Sequence, residues 1–233
     1  ADFHQHTEPS TDSDVHVYDR ILDNVAEGME FVGFTDNDVV ADFQVYIDEL
    51  GLSDKLRTFP GVEISPTTGH VNVYPIVSDF NARGNGTIPL ARIVADEVVV
   101  RIIPEIFEAA HAMPNEPLVQ VNHPRGGTSL FETVNYEPDL DPRTFEHRLW
   151  STDFDTIEIV NRVSSTCSIF ADWATFQNVG LRKTGLGNSD THRVVNGDVP
   201  GSVRNYLKIA EEPADLSEAD VKAAMKNGQV TVG

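Results

Sequence analysis

Apolar positions along the chain alternate between short dense runs and stretches of helical spacing. Residues 1–6 read as a strand. Residues 15–28 set Val17, Ile21, Leu22 and Val25 on one helical face and stop at Gly28. Phe31–Phe34 is a short buried-type strand. Residues 38–50 place Val40, Phe43, Ile47 and Leu50 inward on a predicted helix with Gly51 as the stop. Two strands, Val62–Ser65 and Val71–Ile76, flank a Pro-Thr-Thr-Gly turn. Beyond a polar loop over 78–89, the apolar stretch 90–112 reads as one long helix with a kink at Pro104. Further strands are predicted at Leu118–Val121, Thr156–Val160, Gly185–Asn188, Tyr206–Ile209 and Gln229–Gly233. Helices are predicted at 168–179 and, behind a Ser217/Asp220 capping box, at 218–227. Strands alternating with helices imply an α/β fold built on a parallel sheet, and at this length an α/β barrel is the economical closure.

The chain has 233 residues, enough for one large domain, and it is read as one, 1–233. It opens and closes in strands, as a domain cut from a longer or processed chain would. Lys+Arg 17 against Asp+Glu 37 gives a formal charge of -20, which disfavours nucleic acid as a partner because phosphate binding needs a basic surface. No run of about 18 apolar residues is present, so no membrane span is predicted. A single cysteine, Cys167, excludes an internal disulfide and a cysteine-rich metal site, and it reads as a small packed residue. Neither a Gly-x-Gly-x-x-Gly nor a Walker loop occurs, and Ser189 lacks the Gly-x-Ser-x-Gly frame of a serine hydrolase.

Histidine changes the picture. Five of the eight histidines (His4, His6, His70, His123 and His192) are read at the carboxyl ends of predicted strands or just after, and Asp12, Asp36, Glu63 and Asp190 share that address. In parallel α/β folds that edge gathers catalytic groups. His4-Gln5-His6 puts two imidazoles on one strand face, and Asp190-Thr191-His192 repeats the spacing with an oxygen and a nitrogen donor. Imidazole and carboxylate donors without thiolate suit zinc, manganese or iron. His16, His111 and His147 read as surface residues. Arg125, after His123-Pro124 and before Gly126-Gly127, could capture an anion bidentately or form a surface ion pair. Arg162 and Arg193 are weaker candidates of the same kind. Glu158 reads either as a group that orients a ligand or as a buried structural carboxylate.

Asp2-Phe3-His4-Gln5-His6-Thr7, Thr35-Asp36-Asn37-Asp38, Gly61-Val62-Glu63, Asn122-His123-Pro124 and Asn188-Ser189-Asp190-Thr191-His192 together resemble the ordered motifs of the PHP (polymerase and histidinol phosphatase) superfamily. Gly69-His70-Val71-Asn72 and the closing Ala-Met-Lys-Asn-Gly-Gln-Val look most like its carbaryl-hydrolase-like (CehA/McbA-type) branch. The resemblance implies a distorted (β/α)7 TIM-like barrel and two or three divalent metal ions. It places one ion on His4, His6, Glu63 and Asp190, and a second on Glu63, His70 and His123. A third would sit on Asp12, Asn37 and His192, where Asn37 replaces the family's usual histidine with a poorer ligand. The implied activity is hydrolysis of a small-molecule ester by a metal-bridged hydroxide, with phosphoesterase favoured. Glu63, Asp190 and Arg125 would be the catalytic groups, and Arg125, Arg162 and Arg193 the substrate-binding ones. A carbamate or carboxylic ester hydrolase and a non-catalytic metal-bound domain are the alternatives. The family context leans toward a periplasmic or secreted protein.

Overall fold

The structure is a computed structural model that describes residues 1–162, 166–195 and 198–233. In chain order the elements are β1 (Asp2–Gln5), α1 (Val17–Ala26), β2 (Phe31–Phe34), α2 (Gln44–Glu49), β3 (Arg57–Pro60), β4 (Val62–Ile64) and β5 (Val71–Tyr74). Then come β6 (Ala91–Val94), β7 (Glu97–Val100), α3 (Ile103–His111), β8 (Leu118–Val121), α4 (Leu130–Thr133), β9 (Thr156–Asn161) and α5 (Thr166–Asn178). The chain ends with β10 (Thr184–Asn188), β11 (Asn205–Leu207), α6 (Glu218–Lys226) and β12 (Val230–Val232).

The α/β class holds, but the closed seven-stranded barrel does not. Among the described residues the main strands form two sheets, β1-β2-β3 and β10-β9-β8-β5-β4, with the small antiparallel pairs β6-β7 and β11-β12 beside them. The first sheet is parallel. The second is mixed, because β5 runs antiparallel to both β4 and β8. The cause is the short Ser65–His70 connection, which is a hairpin and cannot carry the crossover that a parallel neighbour requires. Two seams join the sheets without continuing the ladder. At one, β3 leads through Pro60–Gly61 into β4 and the pairing partner changes from β2 to β5. Gly61 is needed there, since a Cβ would lie 2.9 Å from the Phe34 carbonyl oxygen. At the other, β1 meets β10 through Asp190 N to His4 O (2.9 Å) and His6 N to Thr191 O (3.0 Å). Lower on that seam the Phe3 amide is taken by the Asn188 side chain instead of a backbone carbonyl (2.9 Å).

The long helix over 90–112 is also corrected. Residues 91–100 form the β6-β7 hairpin, and the helix starts at Ile103. β-branched residues fill the segment, and Ala95 and Asp96 take positive φ (50° and 65°), which turns the chain back on itself. Pro104 sits in the first helical turn, where it starts the helix and does not kink it. Similarly, α2 covers only 44–49, Leu22 and Leu50 are exposed, and β3 is a strand the pattern missed. Cys167 is exposed on α5, not packed.

The main core lies between the larger sheet and α3, α4 and α5, with Phe107, Phe131, Phe154 and Phe176 fully or almost fully buried. A smaller core under α1 and α2 is built on Ile21, Val32, Phe34 and Ile47. These layers fix the strand ends from which the polar residues of the next section project.

Candidate metal centre

Strand direction brings the donors to one edge. His4 and His6 leave the end of β1, Glu63 sits in β4, His123 follows β8, and Asp190 and His192 follow β10. His70, expected at a strand's carboxyl end, instead stands at the amino end of β5, and it reaches the same edge because β5 is the one strand of the group that runs the other way. His123 (φ 22°) and Asp190 (φ 51°) hold left-handed backbone that non-glycine residues adopt at a cost of about 1–3 kcal/mol. Hydrogen bonds from His123 N to Glu158 (2.7 Å) and from Asp190 N to His4 O (2.9 Å) hold them there.

Hydrogen bonding fixes which imidazole nitrogens carry protons. His4 Nδ1 lies 2.7 Å from Glu158 Oε1, and a carboxylate accepts only, so that nitrogen is N–H. His6 Nδ1 lies 2.9 Å from Ser10 Oγ. Ser10 gives its one proton to Asp36 Oδ1 (3.0 Å), so it accepts from His6. His192 Nδ1 donates to the Asp190 carbonyl (2.9 Å). The neutral forms of all three rings therefore present Nε2 as a bare lone pair.

Those lone pairs converge on carboxylate oxygens. His4 Nε2 and His6 Nε2 stand 3.1 Å apart. Asp190 Oδ1 is 3.3 Å from both, and Glu63 Oε1 is 3.1 Å from His4 Nε2. Glu63 Oε1 also lies 3.3 Å from His70 Nδ1 and 3.6 Å from His123 Nε2. His192 Nε2 is 3.3 Å from Asp12 Oδ2, and its ring stacks on His6 with centroids 4.1 Å apart. Three groups result, the first two sharing His6: His4, His6 and Asp190; His6, Asp12 and His192; and Glu63, His70 and His123. Within each, the donor atoms lie within 4.8 Å of one another.

Acceptors packed so closely repel unless positive charge sits among them. Among the described residues no lysine or arginine forms an ion pair with Glu63, Glu158 or Asp190. The titration shifts express the same demand. Burial alone would lower the His4 pKa, yet Asp190, Glu158 and Glu63 raise it well above the usual imidazole value. Burial would raise Glu63, yet the charge on His4 and hydrogen bonds with His123, His4 and His70 hold it well below the carboxylate range. Asp190 is lowered against its burial by His4 and His6. Asp12 is lowered by its hydrogen bond with His192, and His192 is raised, against burial, by Asp12 and Asp190. His123 Nδ1 is buried and has no hydrogen-bond partner among the described residues. Imidazole and carboxylate atoms without thiolate, orphaned and short of cationic charge, fit divalent metal ions.

Other expected residues take different places. Asp36 is turned away from the cluster and accepts from Thr7 N (2.6 Å), Thr7 Oγ1 (2.7 Å) and Ser10 Oγ (3.0 Å), so it acts on His6 through Ser10. Asn37 adjoins Asp12, donating to it over 2.8 Å while its amide oxygen accepts from Ser65 Oγ (2.7 Å). Of the two readings of Arg125, the structure carries an ion pair, though a buried one and not the surface pair expected. Its Nε and Nη2 grip Asp172 at 2.6 and 2.8 Å, Nη2 also reaches the Tyr136 carbonyl, and the group is buried. The bidentate face expected to capture an anion is therefore occupied. Arg162 and Arg193 instead line a cleft of about 360 Å³ together with Asp12 and His192. Arg162 reaches Asp198 at 3.4 Å.

Glu158 is fully buried and accepts from His4, His123 N, Asn188, Asn161 and Gln120, so it orients the cluster from behind. Sequence reasoning missed Ser10, which fixes the His6 tautomer, and Asn122, whose amide donates to Glu63 Oε1 (2.7 Å). Asn122 stood inside a motif already singled out, whereas nothing in the spacing marks Ser10. Surface status holds for His16, and His111 is half-buried against Asp153 and Asp155.

No protein-family model matches the sequence, and no curated protein matches it. Among solved structures, the crystal structure of a Bifidobacterium adolescentis protein provisionally named a metal-dependent phosphoesterase aligns with a TM-score of 0.57 at 14% identity. The alignment covers 86% of this chain and 90% of that one. The narrower likeness to the carbaryl-hydrolase-like branch finds no support in these comparisons. At that identity the likeness is one of fold: this chain folds like that protein and presents a histidine- and carboxylate-lined cluster at one edge of its strands.

Proposed function

We propose that the chain is a metal-dependent hydrolase of phosphate esters. The observation that carries the reading is the meeting of His4 Nε2, His6 Nε2, Asp190 Oδ1 and Glu63 Oε1 at 3.1–3.3 Å with no cationic side chain paired to the carboxylates among the described residues. The fold likeness to a protein bearing a phosphoesterase name and the arginine-lined cleft beside His192 support the choice of ester.

In this reading His4, His6, Glu63 and Asp190 would hold one divalent ion, and Glu63, His70 and His123 would hold a second. Asp12 and His192 offer a further site, with Asn37 held at its margin by Asp12 and Ser65. Divalent ions bound there would lower the pKa of water toward neutrality and offset negative charge developing on the phosphoryl group. The protein side chains do the rest. Glu158, Ser10 and the Asp190 carbonyl keep His4, His6 and His192 in the tautomer that leaves Nε2 unprotonated. Arg193, which has no ion-pair partner among the described residues, attracts an anionic ester into the adjoining cleft beside Arg162, whose guanidinium is shared with Asp198. This local positive charge acts against an overall charge of -20, which would otherwise repel such a substrate.

The test is turnover by the purified protein with zinc, manganese or iron added, using p-nitrophenyl phosphate and naphthyl methylcarbamate in parallel. The phosphate ester is expected to be cleaved in a metal-dependent manner that a chelator abolishes. Cleavage of the carbamate alone, or of neither compound, overturns the assignment.

A further inference from the structure

A second cavity opens on the other side of the Asp12 loop from the arginine cleft. It has a volume of about 400 Å³, and much of its wall is apolar, contributed by Pro9, Val39, Ile88, Pro89, Leu90 and Ala91. Pockets of ~300–1,000 Å³ are the usual size for a small organic group. Its inner end is polar. Thr11 and Asn37 line it, and Asn37 is bonded to Asp12 over 2.8 Å. Asp12 in turn lines the arginine cleft and lies 3.3 Å from His192. Thr11 therefore faces the largely apolar cavity, and Asp12 faces the cleft that holds Arg162, Arg193 and Asp198; the cleft touches the donor cluster at Asp12 and His192, and the cavity reaches it through the Asn37–Asp12 hydrogen bond. The groove of about 890 Å³ beside Trp173 and Lys226 touches no member of that cluster.

This juxtaposition constrains the ligand. In the first cleft Arg162 is shared with Asp198, and Arg193, which has no ion-pair partner among the described residues, is the cation open to an anionic group. The second cavity carries Asp38 and Arg83, opposite charges that offset each other, and much of the rest of its wall is apolar, so an ionised group there would be poorly solvated. The pattern fits a molecule with one anionic end and one uncharged, apolar end, with the scissile bond between them. Burying a bicyclic aryl group against that wall removes apolar surface from water that a methyl or ethyl ester does not carry, so the cavity favours the bulkier ester.

We propose that the Val39–Leu90 cavity is the subsite for an uncharged apolar substituent, so that the substrates are phosphate esters of bulky apolar alcohols. The substrate class rests on the hydrolase reading above, whereas binding of an apolar group in the cavity does not.

The experiment uses metal-loaded protein, the Ala91→Trp variant, which adds bulk at an exposed position on the cavity wall, and Val39→Asp, which places charge on that wall. Binding of uncharged 2-(1-naphthyl)ethanol is followed by its fluorescence and by NMR shifts of the cavity residues. Hydrolysis of 2-(1-naphthyl)ethyl phosphate is compared with that of ethyl phosphate, whose leaving group is a similar primary alcohol. The wild type is expected to bind the alcohol with shifts at Val39, Ile88 and Leu90, and to prefer the naphthyl ester at least tenfold in kcat/KM. Both variants are expected to weaken alcohol binding at least tenfold and remove the preference, with ethyl phosphate turnover unchanged. Absence of binding, or equal binding by all three folded proteins, overturns the subsite even if ethyl phosphate is cleaved. Binding as expected with neither ester cleaved upholds the cavity and overturns the hydrolase reading instead.

Discussion

Replacing Glu158 by glutamine removes one negative charge from behind the cluster without changing its shape. The Glu158 carboxylate faces only donors: His4 Nδ1 (2.7 Å), Gln120 Nε2 (3.2 Å) and Asn188 Nδ2 (2.9 Å) at Oε1, and His123 N (2.7 Å) and Asn161 Nδ2 (2.9 Å) at Oε2. An amide cannot serve both ends. If its NH2 faces His4, the ring must flip its tautomer and place a proton on Nε2, the atom that points at Glu63 and Asp190. If its NH2 faces His123 N, a donor meets a donor at a buried position, and His4 keeps only a neutral acceptor. The first arrangement blocks a metal ligand and the second weakens it. Loss of a carboxylate behind a ligating histidine costs ~10–100-fold in metal affinity, or about 1.4–2.8 kcal/mol. The mismatched hydrogen bonds should also cost about 2–3 kcal/mol of apo-protein stability. Zinc affinity is measured by competition with a chromophoric chelator, and the folded state is followed by thermal unfolding of the metal-free protein. A folded Glu158→Gln protein with zinc affinity within twofold of the wild type would refute the orienting role, and a lowered melting temperature alone would mark Glu158 as structural only.

Three further expectations reach other parts of the molecule. Arg125→Met leaves Asp172 buried without its partner and should cost about 3 kcal/mol of stability with metal content unchanged; loss of metal or of substrate affinity at unchanged stability would restore the anion-binding reading of Arg125. Asn37→His places an imidazole beside Asp12 and should raise occupancy of the ion held by Asp12 and His192, a gain that unchanged stoichiometry in elemental analysis would deny. His111 is raised chiefly by its hydrogen bond to Asp155, and Asp155 is lowered, against burial, by the same contact. The histidine contribution is complete below its unfolded pKa of about 6.5 and is lost as pH rises through the raised folded value, and the aspartate contribution is lost only as pH falls through its lowered value. His111→Gln should therefore destabilise by about 0.5–1 kcal/mol near pH 6 and by much less at pH 9, and a difference that does not depend on pH would contradict the pairing.

Much of the site was legible before the fold was known. His-x-His and Asp-x-His are short-range patterns, and a strand period of two turns them directly into shared faces. His123 also announced itself just beyond the end of β8, whereas Glu63 lies within β4 and His70 precedes β5, not at the carboxyl ends expected for them. What spacing could not convey depends on partners distant in the chain. Asp172 lies 47 positions from Arg125, and its presence turns a candidate anion clamp into a buried ion pair. The route from Asp36 through Ser10 to His6 depends on the loop after β1 folding back, which no local pattern encodes. The misread helix over 90–112 had a local cause. Its apolar residues form dense runs without a clear period, and such runs do not separate strand from helix. The barrel expectation failed at the seams, where the Pro60–Gly61 bend and the Asn188 side chain interrupt ladders that a strand count assumes to be continuous.

The most direct test is an anomalous difference map from crystals of the protein equilibrated with zinc or manganese, recorded on both sides of the metal absorption edge. The account expects at least two peaks, one bounded by His4, His6, Glu63 and Asp190 and one by Glu63, His70 and His123. A map with no peak among those side chains, at metal concentrations that saturate the protein in solution, would contradict it.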